Sequence, residues 1–288
     1  MAAETPLGET RAGAIGVRAT VARVGRPGSV LRWVLRGQRR ALLLWAVAVA
    51  LVSGIYAGFY ELLDVAEMEA LVDSMPPGLA AAMGYDQLGT ATGYLESTVY
   101  GLLGPILVLV FAIGFAARTL AGQEEDGSLE LEVTAAVGRR RVLLERYAAL
   151  VVQVAVLVAA ITAVVGVLVA AIDMPVGAVG LAAAGLGMLL LVLAIASVTF
   201  ATGAVTGRRA IALAVGAVVA VGGFVADALA DLLDDGRWME ALSPFSWYLS
   251  GDPLAEGVDV VGFAALLGLS VVAVAVAVPA FERRDLGV

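Results

Sequence analysis

Residues 148–172 read AALVVQVAVLVAAITAVVGVLVAAI, a run without a charged side chain. An α-helix rises about 1.5 Å per residue, so about 20 apolar residues cross the roughly 30 Å hydrocarbon core of a bilayer. Lipid offers the backbone no hydrogen-bonding partners, which favours a helix over an open sheet. This stretch therefore predicts a membrane-spanning helix, and with it the fold class.

Similar uncharged runs recur along the chain and agree with its composition. The sequence is 61% hydrophobic and only 15% charged, with a mean hydropathy of +0.94. Those values are far from the balance of a soluble domain. We therefore predict an all-α polytopic membrane protein with six spanning helices. The predicted spans are residues 41–60, 98–117, 148–172, 179–202, 210–229 and 260–280.

The residue types that the chain lacks narrow its chemistry. It has no Cys and no His, and every basic residue is Arg. Thiolate nucleophiles, disulfides, the usual general base and the commonest metal ligands are therefore missing. A P-loop also needs a lysine to reach the β- and γ-phosphates of a nucleotide. We expect no catalytic, cofactor or metal site in this chain, and no P-loop of its own.

Arginine placement predicts the orientation in the membrane, because short loops rich in Arg stay cytoplasmic. With the N-terminus inside, 17 of the 18 arginines fall on the inner side and only Arg237 on the outer side. The outer side holds 16 of the 26 acidic residues, so the inner net charge is +7 and the outer −15. We predict that both termini are cytoplasmic.

The region before the first span is basic and has two parts. Residues 1–28 lack the apolar stretch of a signal peptide and are predicted to be a loose cytoplasmic tail, ahead of one six-span domain at residues 29–288. Residues 28–40 combine an apolar and a basic helical stripe, as in a separate elbow helix in the interface or an extension of the first span. The stripes comprise Val30, Leu31, Val34 and Leu35, and Arg32, Arg36, Arg39 and Arg40.

The outer loop between the fifth and sixth spans carries LSPFSWYLSGDPL at residues 242–254. Its Pro and aromatic residues are compatible with short helices that return into the outer leaflet, or with a surface loop anchored by Trp. The spans themselves contain no Asp, Glu or Arg at mid-depth. Carriers driven by ion gradients place such residues there, so this pattern disfavours an ion-coupled carrier.

The inner segment between the second and third spans contains GQEEDGSLELEVTAAVGRRR at residues 122–141. Ser128 suits a helix N-cap, Glu130 lies where the helix dipole favours an acid, and Gly138 followed by arginines suits a helix end. The pattern predicts a short helix that either docks on a cytoplasmic partner or lies on the inner leaflet. Its apolar side is formed by Leu129, Val133 and Val137.

This loop also resembles that of a known family. Its pattern is similar to the E-x-x-G-[ST]-L-E…P-V-x-R stretch after the second span of ABC-2 type transporter permeases. The matching residues are Glu124, Gly127, Ser128, Leu129, Glu130, Val137 and Arg139. The resemblance extends over nearly the whole chain, and MPPGLAAAMGYDQLGTATGYL at residues 75–95 resembles the polyketide antibiotic exporter-like subgroup.

The resemblance implies partners and a mechanism. In that family the loop forms a coupling helix on a separate ABC ATP-binding subunit, which holds the ATP and Mg²⁺. It implies an exporter permease for a hydrophobic or amphipathic substrate, acting as a homodimer or heterodimer in a prokaryotic cytoplasmic membrane, with no nucleic acid partner. The residues then expected at the ATPase contact are Glu124, Glu125, Gly127, Ser128, Leu129, Glu130, Val133, Val137 and Arg139.

The family also implies where the substrate passes. Its second and fifth spans line the central path, which makes Phe111, Phe115 and Gly216 candidates for substrate contact. Helix packing or lipid contact is the alternative for each. An ion-coupled carrier and a non-transporting membrane scaffold remain the alternative functions, and copurification with a P-loop ATPase would separate the exporter from both.

Overall fold

The computed structural model of the protein describes residues 28–62, 74–76, 90–123, 138–230, 233 and 236–284. Regular structure within these residues is entirely helical. The helices are α1 Ser29–Gly58, prolonged by a 3₁₀ turn Phe59–Leu62; α2 Ala91–Gly122; α3 Arg139–Ala171; α4 Ala178–Thr206; α5 Arg209–Ala230; α6 Arg237–Leu242; α7 Pro244–Leu249; and α8 Val260–Arg283.

Six of these helices, α1 to α5 and α8, are long and apolar enough to cross a membrane. This confirms the predicted all-α fold with six spans, and each predicted span coincides with one helix. Two helices begin well before the predicted span, α1 at Ser29 and α3 at Arg139. A helix can continue past the hydrocarbon edge when its arginine side chains reach towards the polar headgroups.

The early start of α3 corrects the position assigned to three arginines. The sequence pattern placed residues 139–141 beyond the end of a helix in the loop. They form instead the first turn of α3, with Gly138 as its N-cap. That prediction was wrong because arginines ahead of an apolar run can themselves be helical. The connection between α2 and α3 is thereby reduced to residues 123–138.

The amphipathic segment before the first span is the opening part of α1, which runs without a break from Ser29 to Gly58. The extension of the first span is therefore the alternative that is observed, and a separate elbow helix is not formed. Val30 and Val34 are buried in the bundle, whereas Trp33 on the other side is 58% exposed. The apolar stripe thus packs on protein and leaves the opposite face open.

Helix α4 occupies the centre of the bundle, packed against α2, α3, α5 and α8. Glycines permit the closest approaches. A Cβ added at Gly180 would lie 2.0 Å from the Leu254 carbonyl oxygen, and one at Gly187 would lie 2.6 Å from the Tyr248 ring. Helix α1 packs mainly against α3. Among the six spanning helices, α1 and α5 are the least buried: 17% and 11% of their apolar 18-residue stretches are buried in the bundle. Most of the surface of these two helices therefore faces outward.

The two ends of the bundle differ in charge. One end, called here the arginine-rich end, contains residues 28–36, 118–123, 138–146, 204–209 and 282–284. The opposite end is called the acidic end. Hydrogen bonds between α3 and α1, α3 and α8, and α8 and α4 hold the arginine-rich end together.

The LSPFSWY segment runs from the last residue of α6 into α7 at the acidic end. The Ser243 hydroxyl accepts hydrogen bonds from the Phe245 and Ser246 backbone amides, and donates one to the Gly223 carbonyl of α5 at 2.8 Å. Tyr248 is buried and donates to the Ala184 carbonyl of α4 at 3.2 Å. The segment is therefore a short helix packed into the bundle rather than a surface loop.

Candidate functional site

The predicted coupling loop leaves and enters the bundle at its arginine-rich end. Helix α2 ends at Gly122, and α3 begins at Arg139. Arg139 is the one predicted contact residue whose position the structure describes. The described part of the site therefore consists of the two helix ends that the loop joins. The other predicted contact residues lie outside the described part of the chain: Glu124, Glu125, Gly127, Ser128, Leu129, Glu130, Val133 and Val137.

Arg139 joins α3 to α8. Its Nη1 donates to the Arg284 carbonyl at 2.8 Å and to the Glu282 carbonyl at 3.5 Å. Arg284 in turn donates from Nη1 to the Ala204 carbonyl, near the end of α4, at 3.1 Å. The last carbonyls of a helix carry a partial negative charge and lack helical partners, which suits an arginine donor. Two arginines thus link the ends of α3, α8 and α4.

Arg146, two turns further along α3, joins α3 to α2. Its side chain is completely buried, and Nη1 donates to the Thr119 carbonyl. Thr119 lies in the π-helical turns Arg118–Gly122 that end α2. A hydrogen bond to a charged group contributes about 1.5–3 kcal/mol. This contact therefore fixes the spacing of α2 and α3 where the loop joins them.

Glu145 joins α3 to α1. Its Oε1 accepts from the Gly28 amide at 2.9 Å, and its Oε2 accepts from the Val30 and Leu31 amides at 2.9 and 3.1 Å. Arg141, one turn earlier on α3, donates from Nε to Oε1 at 2.8 Å. The carboxylate of one helix thus caps the N-terminus of another, where the helix dipole favours a negative charge.

These contacts make the first two turns of α3 a meeting point of four helices. Arg139 binds α8, Glu145 binds α1 and Arg146 binds α2, all within eight residues of the loop. With Arg141 we call these residues the α3 junction. Its arrangement suits the transfer of movement between helices. The described residues hold no group of three or more His, Cys, Asp or Glu that could bind a metal ion.

Of the α3 junction, only Arg139 was among the residues predicted from the sequence. The four-residue spacing of Arg141 and Glu145, directly ahead of an apolar run, is a signal for an ion pair on one helix face. It does not indicate that Glu145 also reaches Gly28, which is 117 positions away in the chain. Contacts of that separation depend on how the helices pack.

The candidates for substrate contact lie within the packed core of the chain. Phe111 and Phe115 are 5% and 1% exposed, and their rings stack with centroids 6.2 Å apart. Trp45 of α1 meets Phe111 edge-on at 5.7 Å. A Cβ at Gly216 of α5 would lie 2.2 Å from the Thr199 hydroxyl oxygen of α4. The structure places these residues in helix packing, and their contact with substrate stays a prediction.

Glu96 is a buried carboxyl at the acidic end, although the sequence predicted that it lies in a loop. Glu96 is 9% exposed, because α2 begins at Ala91 rather than at residue 98. The Glu96 Oε1 and the Tyr100 hydroxyl are both buried. Composition could not reveal this burial, because the helical turns at residues 91–97 contain polar residues. Their burial results from the packing of α2 against the rest of the bundle.

Comparison with known proteins identifies the family. A search of curated proteins found no match. The family described as "Multidrug efflux system permease Rv1217c, C-terminal domain" matches residues 28–282. That range begins just before α1 and ends in the last turn of α8, so it includes all six spanning helices and the loop between α2 and α3. The chain therefore belongs to this family, which is of the ABC-2 type, and it is the membrane-spanning permease of a multidrug efflux system.

Proposed function

We propose that this chain is the permease subunit of an ATP-driven exporter, in which a separate ABC ATP-binding subunit acts through residues 124–137. The observation that carries the proposal is the α3 junction. The loop that resembles a coupling helix continues directly into a helix whose first two turns bind α1, α2 and α8. A partner that displaces the loop would therefore act on most of the bundle at once.

Two properties of the chain support an energy source outside it. It contains no lysine for a P-loop, so ATP and Mg²⁺ would be held by the partner subunit. At mid-depth in the membrane, the six spans carry no Asp, Glu or Arg of the kind that relays or binds a driving ion. ATP binding and hydrolysis in the partner would alternate the access of a central cavity.

The complete exporter in this proposal contains two permease subunits, alike or different, and two ATP-binding subunits. The outward surfaces of α1 and α5 are available to lipid and to the second permease. The substrate is a hydrophobic or amphipathic compound, exported across the cytoplasmic membrane of a prokaryote. Both termini are cytoplasmic, and the predicted tail at residues 1–28 lies, except for Gly28, outside the described residues.

The first prediction tests the docking role of the loop. Val133→Asp introduces a charge into the centre of the proposed apolar stripe, where a desolvated and unpaired carboxylate is strongly unfavourable. The variant should insert and fold, because the spans are unchanged. It should lose the ATP-binding subunit during copurification and lose ATP-dependent transport of a hydrophobic dye such as rhodamine 6G.

Glu125→Gln is the matched control, because it removes a charge from the proposed rim and rim charges contribute little to such interfaces. It should retain most of the bound ATPase. Normal ATPase binding and transport by Val133→Asp would leave a loop on the inner leaflet as the better interpretation. Dye transport that needs an ion gradient and no ATP would favour the ion-coupled carrier.

A further inference from the structure

The start of α1 lacks the features that normally stabilise a helix N-terminus. Its N-cap is Gly28, which has no side chain, and its first turn contains no acidic residue. Side chains of Ser, Thr, Asp or Asn ordinarily accept hydrogen bonds from the first amides. The nearest charged residues on α1 are Arg32 and Arg36, whose positive charge opposes the helix dipole at this end. The helix end therefore depends on groups from elsewhere.

Glu145 supplies both missing features from α3. Its two oxygens accept hydrogen bonds from the amides of Gly28, Val30 and Leu31, and its charge complements the positive end of α1. The Glu145 side chain is only 14% exposed, so water competes weakly for these bonds. Hydrogen bonds to an ionised acceptor are roughly twice as strong as neutral ones.

The rest of α1 is held chiefly by apolar packing along α3. Only 17% of its apolar 18-residue stretch is buried, and its main packing partner is α3. The Glu145 carboxylate adds a charge-assisted link between the start of α1 and the helix that follows the coupling loop. We propose that Glu145 is a positioning residue for transport, which fastens the arginine-rich start of α1 to α3 so that α1 moves together with the loop.

This role rests on the proposed function and specifies how movement reaches α1. Arg139 and Arg146 would still transmit displacement of the loop to α8 and α2 when Glu145 is changed. The start of α1 would no longer follow. The ATP-binding subunits would then continue to bind and hydrolyse ATP, while less substrate crosses the membrane for each ATP consumed.

The structural half of the test needs the permease alone. Glu145→Gln preserves the side-chain size but replaces one acceptor oxygen with an NH₂ group that would face backbone amides. Hydrogen exchange of the amides at residues 28–31 should become roughly tenfold faster or more in this variant. Glu282→Gln is the matched control, because it removes an equal charge at the same end, and among the described residues Glu282 is bound through its backbone carbonyl rather than its side chain. Equal protection in Glu145→Gln and the wild type would overturn the proposal.

The functional half measures rhodamine 6G transported per ATP hydrolysed, with the permease and its ATP-binding subunit in proteoliposomes. Glu145→Gln should lower this ratio roughly threefold or more while the ATPase rate stays near that of the wild type. Glu282→Gln should leave both unchanged. An unchanged ratio, or a parallel loss of ATPase and transport, would refute the positioning role. Failure of the proposed function would appear already in the wild type, as transport that does not require ATP.

Discussion

At the scale of single residues, four charged groups in the described part of the chain bind backbone atoms of another helix. Arg139, Arg146 and Arg284 each donate to a carbonyl near the end of another helix, and Glu145 accepts from amides at the start of one. Arg141 and Glu145 form an ion pair in the described part of the chain. Each charge thus meets the helix end whose partial charge is opposite to its own.

Glycines at helix contacts give a prediction at this scale. In Gly187→Ala the new Cβ would lie 2.6 Å from ring atoms of both Tyr248 and Phe263, so the bundle must shift to admit it. Overpacking of this kind costs about 1–3 kcal/mol. We expect a lower melting temperature for the purified permease in detergent, measured by the loss of monodisperse protein on heating.

Gly114→Ala is the control, because it is also a helical glycine and its new Cβ would meet no atom within 4 Å. Alanine favours the helix by roughly 0.5–1 kcal/mol over glycine, so this variant should be as stable as the wild type or more so. Equal melting temperatures for Gly187→Ala and Gly114→Ala would show that the close contact at α4 can relax without cost.

At the scale of secondary-structure elements, α7 depends on a single hydroxyl. Ser243 caps α7 through the amides of Phe245 and Ser246 and bonds α5 through the Gly223 carbonyl. Loss of an N-cap side chain costs about 0.5–2 kcal/mol. Ser243→Ala should therefore loosen α7 from α4 and α5, which is measurable as faster hydrogen exchange at residues 244–249.

Ser250→Ala, at the other end of α7, changes an exposed hydroxyl that makes no side-chain hydrogen bond within the described ranges. It should leave the exchange of α7 at the wild-type rate. If Ser243→Ala also exchanges at that rate, α7 is held by the burial of Phe245 and Tyr248 rather than by its cap.

At the scale of the whole molecule, the fold separates a basic end from an acidic one, and this separation predicts the orientation in the membrane. Ser74 and Ser250 are exposed on the side expected to be outside. Single cysteines at these positions of the cysteine-free chain should react with an impermeant thiol reagent in intact cells. A cysteine at Thr134, in the loop expected inside, should react only after the cells are opened. Labelling at Thr134 in intact cells would show that the predicted orientation is wrong.

The sequence by itself determined the six spanning helices, and with them the arrangement in which successive connections lie at opposite ends of the bundle. Burial in lipid depends on the composition of about 20 consecutive residues, so each span can be read without knowing its neighbours. The loop motif between the second and third spans likewise indicated the family before any contact was known. The predicted docking residues stay predictions, because all but Arg139 fall outside the described residues.

Only the tertiary structure decided what the charged residues at the helix ends do. Three examples are Arg139 at the start of α3, Glu145 at the start of α1, which it caps, and Glu96 in the first turns of α2. All three lie outside the apolar runs, so a hydropathy pattern does not predict where their side chains are. Their partners are set by the packing of helices distant in sequence, as for Glu145 and Gly28, 117 positions apart. A local pattern shows that a residue is charged and helical. Which helix end it meets follows from the arrangement of all six helices, because that arrangement alone brings the two groups within hydrogen-bonding distance.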